Sequence, residues 1–234
     1  MRSLLLVLLC GGLAYAEPVT VTARVAWTGG RHGRKRNEVP QAVVWLTPVG
    51  APAPEWKPAS GTAPKLVQKN KSFSPHLLVV PVGSVVEFPN HDPFFHNVFS
   101  LFDGKRFDLG LYEAGSTRNV HFDKPGISYI FCNIHEEMSA VVITLPTPYN
   151  AISNQHGEVV IPNVPAGRYV LRVWYEAAQP EQLQAQTREI EVTQNSATLG
   201  VLRLAPPSQP LTHADKYGGE YAPPDPNSPA YTRP

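Results

Sequence analysis

Cysteine is almost missing from this chain of 234 residues: there are two, Cys10 and Cys132. Cys10 directly follows the short apolar run at the start, so only Cys132 is left for the body of the protein and no internal disulfide framework is expected. Methionine is as scarce, with Met138 the one beyond Met1. Charge of one sign is missing too. Lys and Arg number 20 against 19 Asp and Glu, and removing Arg2 balances them, so nothing global points to nucleic acid. The longest early apolar run, Leu4 to Leu9, is too short to span a bilayer, and no later segment reads as transmembrane. There is no sustained helical period, no internal helical repeat and no glycine-rich phosphate loop.

What is present begins with export. Arg2, the run Leu4 to Leu9 and Ala14-Tyr15-Ala16 make a basic start, an apolar core and an A-x-A end, the pattern of a secretory leader. Cleavage is expected after Ala16, and Leu9 is too bulky for Cys10 to be a lipidation site. The protein is therefore expected in the periplasm or otherwise exported. There, a lone thiol is a liability unless something occupies it, and a metal–thiolate bond accounts for retaining Cys132.

The body reads as all-β. Val19, Val21, Ala23, Val25 and Trp27 alternate with Thr20, Thr22 and Arg24, which predicts a half-buried strand, and Ala42 to Leu46 a second. Further strands are predicted at 77–80, 84–88, 97–100, 117–122, 127–132, 140–145, 158–161, 168–175, 188–192 and 198–204, with a short helix or loop at 181–186. The expected division is a leader at 1–16 and N-terminal strands at 17–50. A proline-rich linker follows at 51–64, then a metal-binding unit at 65–147, a second sandwich at 148–205 and a proline-rich tail without fixed structure at 206–234.

The chemistry concentrates in Cys132-Asn133-Ile134-His135-Glu136-Glu137-Met138, which follows the apolar stretch Ile127 to Phe131. His96 lies upstream in Phe94-Phe95-His96-Asn97-Val98-Phe99. Thiolate and thioether suit Cu(I), and imidazole tolerates both copper oxidation states. His96, Cys132, His135 and Met138 are thus a candidate ligand set for one electron-transferring copper ion. Zinc fits less well, because methionine is a poor zinc ligand. A nucleophilic Cys–His pair leaves Met138 unexplained, and a buried structural cysteine leaves the whole spacing unexplained. No His-x-His clusters for a multicopper oxidase occur.

Asn90 to Phe99 resembles the first-histidine segment of the cupredoxins, and Phe122-Asp123-Lys124-Pro125-Gly126 leading to Cys132 resembles their approach to the cysteine. The Cys-x2-His-x2-Met spacing is similar to that of amicyanin, and the likeness covers roughly residues 66–146. It implies a Greek-key β-sandwich with one type 1 copper and an exposed second histidine, here His135, as the electron port. It also implies that Asn97 ties the two ligand segments together. The wider arrangement resembles exported methylamine-utilisation proteins. Asn154 to Tyr169 is similar to carboxypeptidase-regulatory-like, transthyretin-like sandwiches, which implies that the copper unit is inserted into such a sandwich, formed by residues 19–49 and 150–205.

Other features have plainer readings. His91 is either a loop residue or a group beside the copper. Glu136 and Glu137 are solvated charges, or favour a basic partner. Arg31 to Arg36 is a solvated loop, or an anion-binding patch that allows peripheral envelope association. Among Phe94, Phe95, Phe99, Phe102 and Phe107, most are expected to fill the core or shield the site. The expectation is a carrier of single electrons between redox protein partners rather than an enzyme. A copper carrier or storage protein, and an envelope module with a stabilising copper, are the alternatives.

Overall fold

The computed structural model describes residues 17–27, 41–57, 62–101, 104–176, 178–204 and 214–221. The expected leader and its cleavage point, the basic cluster 31–36, Phe102 and the remainder of the tail lie outside the described residues.

The described chain is all-β with one short helix. In order it forms β1 (Val19–Trp27), β2 (Ala42–Pro48), β3 (Val67–Gln68), β4 (Phe73–Ser74), β5 (Leu77–Pro81), β6 (Ser84–Pro89), β7 (His96–Ser100) and β8 (Phe107–Tyr112). It continues with β9 (Thr117–Phe122), β10 (Gly126–Cys132), β11 (Ser139–Leu145), β12 (Asn150–Ile152), β13 (Glu158–Val164) and β14 (Gly167–Tyr175). Helix α1 (Pro180–Gln186), β15 (Arg188–Val192) and β16 (Thr198–Leu204) complete it. Strand β8 escapes a reading by alternation because Gly110, at φ +67°, and Asp108 punctuate it, and its register against β7 shifts between Asn97 and Phe99.

Two sandwiches result. The first uses both ends of the chain: β13-β1-β16 faces β12-β2-β14-β15. Its core is the inward set Val21, Ala23 and Val25 of β1 against Ala42, Val44 and Leu46 of β2, closed by Ile161, Leu171 and Leu202. The period-2 alternation of β1 is what directs those three side chains to one side. The second sandwich is built from β5-β11-β10-β7-β8 and the pair β6-β9. Phe88, Val98, Tyr112, Phe122, Ile130 and Val142 fill it, and Cys132 and Met138 belong to the same core.

The two sandwiches share a third apolar layer. β2 turns Val43 away from its own core, and β11 turns Val141, Ile143 and Leu145 away from its own; these meet Leu77 and Trp174 between the sheets. Both strands are therefore buried on both faces, which is why they read as continuous apolar runs rather than as alternations. Replacing Trp174 by alanine would remove about 3–5 kcal/mol from this layer.

At the rim of the layer His76 bridges the sandwiches. Its Nδ1–H donates to the Ser139 carbonyl at 3.0 Å and its Nε2 lies 2.7 Å from a Glu176 carboxylate oxygen. Both partners only accept, so the doubly protonated ring satisfies them best. The Glu176 hydrogen bond accordingly raises the His76 pKa, against the opposing effect of burial. A raised histidine pKa stabilises the fold fully below the unfolded value of about 6.5, and the contribution disappears as pH rises through the folded value. The pair is half exposed, so its worth is about 0–1 kcal/mol. His76→Gln should therefore lower the melting midpoint at pH 6 and leave it nearly unchanged at pH 8.5. Equal losses at both pH values would show that His76 does not titrate in this role.

Candidate metal centre

Adjacent strands bring the principal donors together. β10 pairs with β7 through Phe131↔Phe99 and Cys132↔Val98, which sets the end of β10 beside the start of β7, where His96 stands. After Cys132 the chain folds back in a tight loop. The Met138 amide donates to the His135 carbonyl at 3.0 Å, and the Cys132 amide donates to the Met138 carbonyl at 3.2 Å. That closure returns His135 to the sulfur.

Cys132 Sγ lies 3.6 Å from Nδ1 of His96 and 3.6 Å from Nδ1 of His135. The three donor atoms fall within 4.8 Å of one another, and all three residues are buried. Two donors 3.6 Å apart subtend about 115° at a shared ion when metal–sulfur is about 2.3 Å and metal–nitrogen about 2.0 Å. The cluster therefore fits one ion with sulfur and two nitrogens around it. Met138 is fully buried in the same core as Cys132.

A residue not singled out in the sequence orients the first histidine. The buried Asp92 carboxylate lies 2.9 Å from His96 Nε2. A carboxylate accepts only, so Nε2 carries the proton and Nδ1 presents its lone pair towards the sulfur. Asp92 also accepts from the backbone amides of Asn70 at 2.6 Å and Lys71 at 3.0 Å. These two residues form the β3–β4 turn with φ of 55° and 54°, and that left-handed pair aims both amides at one carboxylate. Burial raises the Asp92 pKa, but the Lys71 amide, His96 and the Asn70 amide outweigh it and hold the carboxyl below its usual range. The nearest signal in the sequence was position: Asp92 stands four residues before His96.

The second histidine departs from expectation. His135 is 2% exposed and presents no free edge. The Phe94 ring stands 5.3 Å from the His96 ring and 5.5 Å from the His135 ring, and the Lys71 ammonium lies over Phe94 at 5.7 Å. An aromatic plate under a cation thus covers the imidazoles. Phe99 is buried and Phe107 packs on Phe88 and Phe122, while Phe95 is exposed.

The electrostatics favour neutral donors before metal uptake. Burial, then the proximity of His96 and Lys71, pushes His135 down to about 4. Burial also lowers His96, with Asp92 opposing. Burial pushes the Cys132 thiol up, partly offset by amide hydrogen bonds from Asn97, Ile134 and His135. Metal binding must therefore displace the thiol proton.

The backbone carbonyl of Asn97 accepts from the Asn133 amide at 2.9 Å. Its side chain instead donates to Asp108 at 2.6 Å. His91 is exposed and stands outside the donor cluster; the group in contact with a candidate ligand is its neighbour Asp92. Glu136 and Glu137 are exposed, as are His121 and His156.

No known family description and no curated protein matches this chain. Among solved structures it is similar to a purple cupredoxin from Nitrosopumilus maritimus, at 22% identity and a TM-score of 0.32 over 35% of this chain and 99% of that one. It is similar also to a reduced amicyanin variant, at 19% identity and 0.34, over 44% of this chain and 98% of that one. A copper-containing nitrite reductase from Thermus scotoductus matches at 25% identity and 0.35 over 43% of this chain but spans only 25% of the reductase. At such scores the likeness carries no weight; the donor geometry does.

Two outcomes are expected. Both histidines are held neutral, so in metal-free protein they stabilise the fold above pH about 6.5, and that contribution is lost as pH falls towards the folded value of His135, about 4. An imidazole NMR titration of His135 with a midpoint above 6 would contradict this. Asp92→Asn should lose an acceptor for one hairpin amide, because its NH2 group faces a donor. The cost should be about 1–3 kcal/mol in stability and about 10–100-fold in metal affinity, read by denaturation and metal competition.

Proposed function

We propose that this chain is an exported mononuclear copper protein of the cupredoxin type that carries single electrons between redox proteins. The observation that carries the proposal is the convergence of one buried cysteine sulfur and two histidine Nδ1 atoms at 3.6 Å, with the His96 tautomer set by a carboxylate. His96, Cys132 and His135 are the close ligands and the buried Met138 is the weak fourth. A copper ion held there supplies a one-electron Cu(I)/Cu(II) couple.

The residues of the chain do the rest. β7 and β10 fix two ligands on paired strands, so the site need not rearrange when the oxidation state changes. Asp92 keeps the His96 lone pair directed inward. Phe94 keeps water away from both imidazoles. Three backbone amides near Cys132 Sγ stabilise its negative charge and so tune the potential. The burial of His135 argues against rapid metal hand-off and so against a copper carrier. The first sandwich, which we propose is a transthyretin-like module, holds the copper unit through the shared apolar layer and presents it to a partner or to the envelope.

The deciding measurement is the visible spectrum of copper-loaded protein through a cycle of reduction and reoxidation. An intense thiolate-to-copper band should bleach and return in the native chain, and should be missing in Cys132→Ser. A folded, copper-loaded native chain without that band would sink the electron-carrier reading.

A further inference from the structure

Eight residues of the C-terminal tail, 214–221, lie against the metal-centre loop although the contacting residues stand 83 and 89 positions apart, with the whole end of the other sandwich between them. We infer that this segment is a built part of the metal centre, with Lys216 and Tyr221 as positioning residues that hold the Asn133 side chain and the Cys132 carbonyl and keep the thiol closed off.

The segment is closed on itself by its own hydrogen bonds. The Asp215 carboxylate accepts from the amides of Tyr217 at 2.9 Å and Gly219 at 2.8 Å. The Asp215 carbonyl accepts from Gly218 at 3.0 Å, and the Asp215 amide donates to the Gly219 carbonyl at 2.9 Å. Gly218 sits at φ +85°, where a side chain would be strained. Asp215-Lys216-Tyr217-Gly218-Gly219 is thus a self-closed turn. It explains why a proline-rich stretch with few apolar residues holds a fixed form here.

Three contacts then tie the turn to the centre. The Lys216 amide donates to the Asn133 side-chain oxygen at 2.9 Å. The Lys216 ammonium donates to Asp108 at 2.8 Å, and Asp108 in turn accepts from the Asn97 side chain at 2.6 Å. The Tyr221 hydroxyl donates to the carbonyl of Cys132 itself at 2.9 Å. The residue after one ligand, His96, and the residue after another, Cys132, are therefore both held from the same short segment. Burial raises the Tyr221 pKa, so its hydroxyl stays a donor across the working pH range. An unconstrained tail would not place a half-buried hydroxyl on the one carbonyl that belongs to the thiolate ligand.

The full-length triple variant Asp215→Ala, Lys216→Ala, Tyr221→Phe dismantles the turn and its side-chain ties without shortening the chain. In metal-free protein, iodoacetamide should modify Cys132 at least tenfold faster than in the native chain, followed on the Cys132 peptide so that Cys10 does not contribute. Tyr221→Phe alone should accelerate it about fivefold, the loss of one hydrogen bond, whereas Val21→Ala in the core of the first sandwich, which lowers the melting midpoint at least as much, should leave the rate unchanged. In copper-loaded Tyr221→Phe the thiolate-to-copper band should shift. Unchanged modification rates would overturn the inference, as would an equal acceleration in Val21→Ala, which would show that the thiol reacts only through global unfolding. The band readout rests on the copper reading above, but the thiol readout does not. A native chain that lacks the band but whose thiol reactivity still depends on residues 214–221 would remove the copper reading and keep this inference.

Discussion

Three desolvated donor groups within 4.8 Å of one another do not stay together on their own account. Two neutral imidazoles and a thiol gain little from facing each other, and each has given up water to be there. Their arrangement is imposed from behind. Asp92 fixes His96, the Met138 amide and carbonyl close the loop that carries His135, and strand pairing with β7 sets Cys132. In this protein the geometry of the centre is a property of its surroundings, and an ion binds into a shape that already exists.

The surroundings are in turn layered. The β3–β4 turn gives two amides to Asp92 and lays Lys71 over Phe94, so one tight hairpin both anchors the orienting carboxylate and caps the imidazoles. The tail does the corresponding work on the far side of Cys132. Neither element contributes a donor atom to the cluster; one holds the carboxylate behind His96, the other the carbonyl of Cys132.

Much of this was legible in the residues. The all-β class followed from alternation in β1 and from apolar runs such as Ala140 to Leu145, since strand periodicity is a local signal. Cys132, His135 and Met138 stood out because the end of β10 and the loop that follows it carry them within seven residues, and such short spacing survives in sequence. What did not show is long-range. Asp92 looked less interesting than His91, because only the fold decides which of two neighbouring side chains turns towards His96. The cover over His135 comes from Phe94 and the turn at Asn70 and Lys71, dozens of residues away, so the exposed second histidine implied by the cupredoxin resemblance did not hold. The tail read as unstructured because composition cannot report a turn that closes on its own carboxylate.

The way the copper unit is spliced into its host bears on how the chain assembles. β2 pairs with β12 through Trp45↔Asn150, and the Leu46 amide donates to the Tyr149 carbonyl at 2.8 Å, so the excursion leaves and rejoins the first sandwich at one point. Closing a flexible loop of about a hundred residues costs roughly 4 kcal/mol of chain entropy. That cost falls away if the intervening stretch has already folded and brought its own two ends side by side. The order of events is thereby biased: the inner unit condenses first and acts as the template that lets β2 find β12 and β14. Nucleation of the outer sandwich then depends on the integrity of the inner one, and an aberrant inner unit leaves the two termini of the host without a common starting point.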